Sequence, residues 1–127
     1  MPSPLNYDGG LTAGLPVRDL NTAVAWYMDV LGFTLNYQMD EMGWAELATE
    51  TPGLTIGLSQ VEEMTLGGGA TLTFGVHNLA AARAILEAKN VRFDGETETI
   101  PEMVAICTFY DPDGNTLMLY QDLSGAT

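Results

Sequence analysis

The chain has 127 residues and carries 17 acidic against 4 basic side chains, which gives a formal net charge of −13. Because a surface of this charge repels phosphate backbones and anionic lipid headgroups, binding to nucleic acid or to a membrane is disfavoured. The length fits one domain that buries a core without disulfides or structural metals, and the single cysteine, Cys107, cannot form an internal disulfide.

The N-terminal residues have neither a basic start nor an apolar run of signal-peptide length, and no stretch is long and apolar enough for a transmembrane helix. We therefore expect a cytoplasmic protein. The acidity has two interpretations that the sequence leaves open. It serves solubility, or it attracts a cationic ligand or partner.

The first half of the chain predicts a strand, a helix and three more strands. Apolar residues alternate with small or polar ones over 11–17, as in a half-buried strand. Asp19 or Asn21 can cap the helix that follows, and Gly32 is well placed to end it. Turn signals separate the remaining strands, which are predicted over 34–39, 44–49 and 55–60.

The second half repeats this order after a glycine-rich link at 67–69. A strand is predicted over 70–76, followed by a helix that Asn78 opens and that runs to about Lys89. A turn of sequence DPDG separates the last two of the three further strands, which are predicted near 91–93, over 104–110 and over 116–121.

Residue identities between the two halves indicate an internal duplication. The βαβββ order therefore occurs twice within a single domain, 1–127, with a first module at about 11–60 and a second at about 70–122. Eight residues of the first module recur in the same order in the second: Val17, Leu20, Ala23, Ala25, Gly53, Thr55, Leu58 and Gln60 match Val76, Leu79, Ala82, Ala84, Gly114, Thr116, Leu119 and Gln121.

Strand side chains alternate between two faces, so each strand divides into two sets. One set is apolar and suits a face covered by helices: Leu11, Ala13, Leu15, Val17, Ile56, Leu58, Leu72, Phe74, Val76, Leu117 and Leu119. The other set is small or mildly polar: Thr12, Gly14, Pro16, Thr55, Gly57, Ser59, Thr71, Thr73, Gly75, Thr116, Met118 and Tyr120. Such residues suit the wall of a cavity, although a plain threonine-rich outer face is the alternative.

The repeat extends this division to two more strands. If Leu47 and Phe109 face the helices, the cavity side gains six residues: Trp44, Glu46, Val104, Ile106, Thr108 and Tyr110. Glu46 is then expected to be the one strand carboxylate inside, while carboxylates such as Glu98 are placed in loops. The alternative is that Glu46 is a solvated strand glutamate.

Two segments carry a family resemblance. Residues 15–33 read LPVRDLNTAVAWYMDVLGF, and residues 109–119 read FYDPDGNTLML. In both, the chain resembles the vicinal oxygen chelate superfamily, which includes glyoxalase I, extradiol dioxygenases and bleomycin-resistance proteins. The resemblance implies an α+β fold in which two tandem βαβββ modules form an open, curved mixed sheet around a cavity, with the helices on the outside. It also implies a homodimer.

Metal-dependent members of that family place His, Gln or Glu at one position on each of four strands. By motif spacing, these positions are Thr12, Gly57, Thr71 and Met118 in this chain. None of these residues is a competent ligand for a transition metal. We therefore expect no metal and no other cofactor, and His77 is expected to be a surface residue at the entry to the second helix.

Two functions follow from this pattern. One is metal-independent binding of a small cationic or aromatic molecule, as in bleomycin-resistance-type sequestering proteins. The other is a metal-independent lyase, isomerase or cyclase. In that enzyme Glu46 would be the general acid or base, and Tyr110 or Tyr120 would be the hydrogen-bond donor. A metalloenzyme with relocated ligands and a domain that only mediates association are further alternatives. The candidate ligand-binding residues are Thr12, Gly14, Trp44, Glu46, Gly57, Thr71, Thr73, Ile106, Tyr110, Met118 and Tyr120.

Overall fold

A computed structural model of the chain describes Pro4, residues 8–63 and residues 71–125. The chain divides into two compact units, 1–64 and 65–127. The predicted link at 67–69 and the first residue of the predicted strand at 70–76 lie outside the described residues. In the described ranges, no helix combines the length and the apolar character that crossing a bilayer requires.

The first unit has the predicted βαβββ order. Its elements are β1 (Leu11–Val17), α1 (Leu20–Leu31), β2 (Thr34–Met39), β3 (Trp44–Ala48) and β4 (Leu54–Gln60), with a 3-10 turn at Asp40–Met42. The strands lie in the order β1-β4-β3-β2. β1 is parallel to β4, whereas the other pairs are antiparallel. α1 packs on β2, β3 and β4.

The second unit repeats this arrangement with one additional strand. Its elements are β5 (Leu72–Gly75), α2 (Leu79–Ala88), β6 (Arg92–Phe93), β7 (Glu98–Ile100), β8 (Val104–Tyr110) and β9 (Thr116–Asp122). The sheet order is β5-β9-β8-β6, and β7 also pairs with β8. The sequence did not predict β7, because three residues show no periodicity, so the placement of Glu98 in a loop was wrong.

The helix ends agree with the capping signals. The Asp19 side chain, rather than Asn21, accepts a hydrogen bond from the first turn of α1, and Gly32 ends that helix in the left-handed conformation at φ 74°. The Asn78 side chain caps α2 in the same way. The α+β class and the tandem βαβββ modules are therefore confirmed.

The core of each unit lies between its helix and its sheet. In the first unit Tyr27 of α1, Leu47 of β3 and Ile56 of β4 are fully buried, and α1 packs on both of these strands. In the second unit Phe109 and Leu117 are fully buried. The predicted orientation of Leu47 and Phe109 toward the helices agrees with this burial.

The apolar face predicted for β1 is only partly covered. Leu11 at the start of that strand is 66% exposed. The cause is that α1 packs chiefly on the other three strands of the sheet. Cys107 is buried on the helix side of β8, and this burial raises the pKa of its thiol.

Candidate ligand-binding faces

Each sheet has a face that its own helix does not cover. We call these the first open face, formed by β1 to β4, and the second open face, formed by β5 to β9. On β3 the alternation is clear, because Ala45 and Leu47 are fully buried whereas Trp44 and Glu46 are half-buried on the other side. Trp44 and Glu46 therefore lie on the first open face.

The strand register places Glu46 in one row with two glycines. Gly14 of β1 pairs with Gly57 of β4, Gly57 pairs with Glu46 of β3, and Glu46 pairs with Tyr37 of β2. Because paired residues project on the same side of a sheet, this row crosses the first open face. Two adjacent positions in the row, Gly14 and Gly57, therefore carry no side chain.

The two glycines differ in what lies above them. The six-membered ring of Trp44 covers Gly57 so closely that an added Cβ would overlap it, whereas nothing lies within 4 Å of a Cβ placed on Gly14. The indole is fixed at its other end, since its Nε1 donates a hydrogen bond of 3.1 Å to the Tyr37 hydroxyl. The free space on this face therefore lies over Gly14, beside a fixed aromatic ring.

Polar groups border this space. The hydroxyls of Thr12 and Thr55 are 2.8 Å apart, so one donates to the other and one hydroxyl proton remains for another acceptor. Glu46 Oε2 accepts a hydrogen bond of 3.3 Å from Asn36 Nδ2. The face thus offers an aromatic ring, a carboxylate and a hydroxyl pair.

The sequence did not identify Asn36 and Tyr37 as part of this face. The register of β2 against β3 shifts between Leu35 and Tyr37, so that Tyr37, and not Asn36, lies opposite Glu46. A bulge of this kind inserts one residue into a strand and changes which side chains share a face. No sequence signal marks it, and the only available hint was the tyrosine itself.

The second open face carries the other predicted ligand residues. Thr71 precedes β5 and is exposed, as is Thr73, whereas Met118, Ile106 and Tyr110 are half-buried. Thr73 pairs with Met118, and Met118 pairs with Thr108. Thr73, Met118 and Thr108 therefore lie on one face, and contact of the predicted residues with a ligand remains a prediction.

A cation lies at one end of the second open face. Arg92 of β6 pairs with Tyr110 of β8, and its guanidinium carbon lies 5.0 Å from the centre of the Tyr110 ring. This cation–π contact was not foreseen, because β6 has only two residues and its pairing partner could not be assigned from the sequence. The second open face therefore carries a cationic side chain.

A cleft of about 560 Å³ opens at the other end of the second open face. Its wall includes Val76, His77, Met103, Val104, Tyr120 and Asp122. His77 lies before α2 and is exposed, as expected for a residue at the helix entry. The sequence did not foresee that it borders a cleft.

The expectation that Glu46 is the one strand carboxylate on the cavity side was wrong. Asp122 belongs to β9 and pairs with Val104, so it lies on the second open face with Tyr120, and Glu98 pairs there with Ile106. Hydrogen bonds from the hydroxyl and the backbone N–H of Ser124 lower the pKa of Asp122. The carboxylate is therefore ionised over a wide pH range.

The four positions that correspond to the family's metal ligands do not fit a transition metal. The Thr12 hydroxyl is bonded to Thr55, and Gly57 has no side chain and lies under an indole ring. Thr71 and Met118 offer a hydroxyl and a thioether, which are weak ligands. Among the described residues, no group of three or more His, Cys, Asp or Glu side chains is placed to hold a metal ion.

Comparison of the sequence with protein families finds one match. The sequence model of the Glyoxalase/Bleomycin resistance protein/Dioxygenase superfamily matches residues 11–119. This range includes the first open face and most of the second. A comparison with curated proteins returned no match.

Solved structures share the fold at low sequence identity. A member of the same superfamily from Sphaerobacter thermophilus is 22% identical with a TM-score of 0.76, covering 89% of this chain and 96% of its own. TnmS3, an antibiotic binding protein from Streptomyces, is 23% identical with a TM-score of 0.70 and coverages of 89% and 94%. The fosfomycin resistance protein FosX from Listeria monocytogenes is 17% identical with a TM-score of 0.77 and coverages of 91% and 93%. At these identities the likeness establishes the fold.

Proposed function

Because the chain belongs to the Glyoxalase/Bleomycin resistance protein/Dioxygenase superfamily, we propose that it binds a small organic molecule without a metal ion, on the first open face. The observation that carries this proposal is the pair of glycines in the same row as Glu46. Gly57, next to Glu46, is covered by the indole, and Gly14 lies under open space. A ligand in that space lies beside the ring and the Thr12–Thr55 hydroxyls, and we propose that it extends along the row to Glu46.

The chemistry of the face favours a planar aromatic ligand with a positive charge. The indole of Trp44 offers its π system to a flat ring, and Glu46 attracts a cation or accepts a hydrogen bond from a donor group. The net charge of −13 adds a long-range attraction for cations. The remaining hydroxyl proton of the threonine pair suits a carbonyl or ether oxygen of the same molecule.

We further propose that the bound molecule is an antibiotic and that the protein sequesters it without turnover. The solved structures of similar fold include an antibiotic binding protein and a fosfomycin resistance protein. Sequestration requires only the contacts of the first open face. Turnover by a lyase, isomerase or cyclase would require Glu46 to exchange a proton with the ligand.

The proposal extends to assembly and location. We propose that the two units form one domain, 1–127, that two chains associate as a homodimer, and that the protein acts in the cytoplasm. Isologous dimers are the commonest oligomers of soluble proteins. Sedimentation at tens of micromolar tests the association, and a monomer under those conditions contradicts it.

Binding can be tested with two planar probes of opposite charge. Proflavine is a planar aromatic cation and anthracene-9-carboxylate is a planar aromatic anion, and calorimetric titration gives the affinity for each. We expect proflavine to bind and the anion to bind at least about tenfold more weakly. In Glu46→Gln, proflavine binding should weaken about tenfold while anthracene-9-carboxylate does not weaken.

Glu62→Gln is the matched control, because Glu62 is an exposed loop carboxylate of the same unit. It removes the same formal charge away from the face and should leave proflavine binding within about twofold of the parent. Equal loss in the two variants would mean that net charge alone attracts the probe. Unchanged binding in Glu46→Gln would remove Glu46 from the site.

A further inference from the structure

The second unit holds a cleft that the proposed function does not use. We infer that this cleft is a separate binding site for an alkylated ammonium ion, held between the Asp122 carboxylate and the ring of Tyr120. Its volume of about 560 Å³ falls within the usual range of small-molecule sites. The inference goes beyond the first open face, because it involves other residues and another ligand class.

The aromatic wall of the cleft lies over a glycine. Gly75 lies under the Tyr120 ring, and a Cβ on that glycine would lie 3.0 Å from the ring carbon Cζ and from the hydroxyl oxygen. The ring is nevertheless 39% exposed. An accessible π face is what a quaternary or alkylated ammonium group requires, since such a cation has few or no N–H donors and binds by contact with a ring.

The carboxylate is arranged to complement that ring. Asp122 follows Tyr120 by two residues on the same strand, so the two side chains project from the same face. Its Oδ1 accepts hydrogen bonds of 2.8 and 2.6 Å from the backbone N–H and hydroxyl of Ser124, which fixes the carboxylate group. Among the described residues, no lysine or arginine lines the cleft.

The rest of the wall combines the polar side chains of His77 and Gln121 with apolar groups. Met103 is 59% exposed and Val104 is half-buried, and a thioether with a branched aliphatic chain suits methyl or methylene groups. Leu123 N donates to Met103 O at 2.9 Å, and Val76 N donates to Tyr120 O at 2.9 Å. The backbone at Met103 and at Val76 is thereby hydrogen-bonded to β9 or to the residue that follows it.

Choline and its neutral carbon isostere 3,3-dimethylbutan-1-ol test the inference, since they differ in charge and hardly in shape. Titration of the isotope-labelled protein by NMR should show choline shifting the amides around Tyr120 and Asp122, with the isostere binding at least about fivefold more weakly. Asp122→Asn should weaken choline binding about fivefold, and Tyr120→Leu by a similar factor.

Asp94→Asn is the control, because Asp94 is an exposed carboxylate of the same unit that does not line the cleft. It should bind choline as the parent does, and amide spectra report whether each variant is folded. Equal affinity for choline and its isostere, shifts located elsewhere, or full binding by folded Asp122→Asn would overturn the inference. None of these outcomes alters proflavine binding on the first open face, so the two proposals can fail separately.

Discussion

The first and second open faces share one strand plan and differ in their chemistry. On the first face an indole covers one glycine, leaves another open and stands beside a carboxylate. On the second face a tyrosine covers the glycine, with an arginine at one end and an aspartate at the other. A duplicated fold can therefore hold two different sets of binding groups without changing its sheet.

The helix side of each unit, where the sheet packs on its helix, is by contrast similar in the two units. Gln60 Oε1 accepts from Leu20 N in the first unit, and Gln121 Oε1 accepts from Leu79 N in the second, both at 2.8 Å. Each glutamine comes from the last strand of its unit and satisfies a free N–H at the start of the helix. Packing and capping are thus shared by the two units, whereas ligand-facing residues are not.

The largest expected difference between the faces concerns their covered glycines. Gly57→Ala should destabilise the protein by about 1–3 kcal/mol, because its methyl group overlaps a ring that is fixed by Tyr37. Gly75→Ala should cost less than about 1 kcal/mol, since the half-exposed Tyr120 ring can move aside. Urea denaturation measures both free energies of unfolding. Equal costs would mean that the indole is no more constrained than the tyrosine.

The two capping glutamines, in contrast to the two glycines, should contribute equally to the free energy of unfolding. Gln60→Met and Gln121→Met each leave a part-buried helix N–H without its acceptor, at a cost of about 1 kcal/mol apiece. Thermal or urea unfolding of the two variants provides the comparison. A cost in one unit only would contradict the equivalence of the two helix sides.

Gly14→Ala tests whether the open space on the first face is the ligand site. The added methyl group meets no atom within 4 Å, so stability should stay within about 0.5 kcal/mol of the parent. Proflavine binding should weaken about fivefold, because the methyl group takes up space that the ligand needs. Loss of stability would mean that the space over Gly14 is filled in solution, and unchanged binding would place the ligand elsewhere.

The smallest expected effect comes from the buried thiol beneath the second face. Burial raises the pKa of Cys107 above its ordinary value of 9.0. The folded protein therefore holds this proton more tightly than the unfolded chain, so the stability it contributes is complete below the unfolded pKa and is lost as the pH rises through the folded pKa. Between pH 8 and 10.5, Cys107→Ala should lose less stability than the parent. Identical pH profiles would show that the thiol is not buried in solution.

Most of the fold could be predicted from the sequence, because its signals are local. The periodicity of 11–17, the cap at Asp19 and the stop at Gly32 need no tertiary information. The internal repeat identified β3 and β8 as equivalent strands, which the pattern of either segment alone could not do. The strand β7 was missed because its pairing with β8 is a tertiary contact.

The residue types of the site could be predicted from the sequence better than the arrangement of their side chains. Alternation correctly assigned Trp44 and Glu46 to one face, yet the bulge in β2 that brings Tyr37 opposite Glu46 has no sequence signature. The position of the Trp44 ring over Gly57 depends on a side-chain rotamer, which strand periodicity does not determine. Asp122 was missed because β9 runs one residue beyond the predicted strand.

Native mass spectrometry of the protein after dialysis against EDTA, with proflavine added, tests the central claim most directly. It resolves bound metal, bound probe and subunit number in one spectrum. We expect one proflavine per chain with no metal mass, and loss of that species in Trp44→Leu. A chain that carries one equivalent of Zn, Ni, Fe or Mn, or that binds proflavine only after such a metal is restored, would contradict metal-independent binding on the first open face.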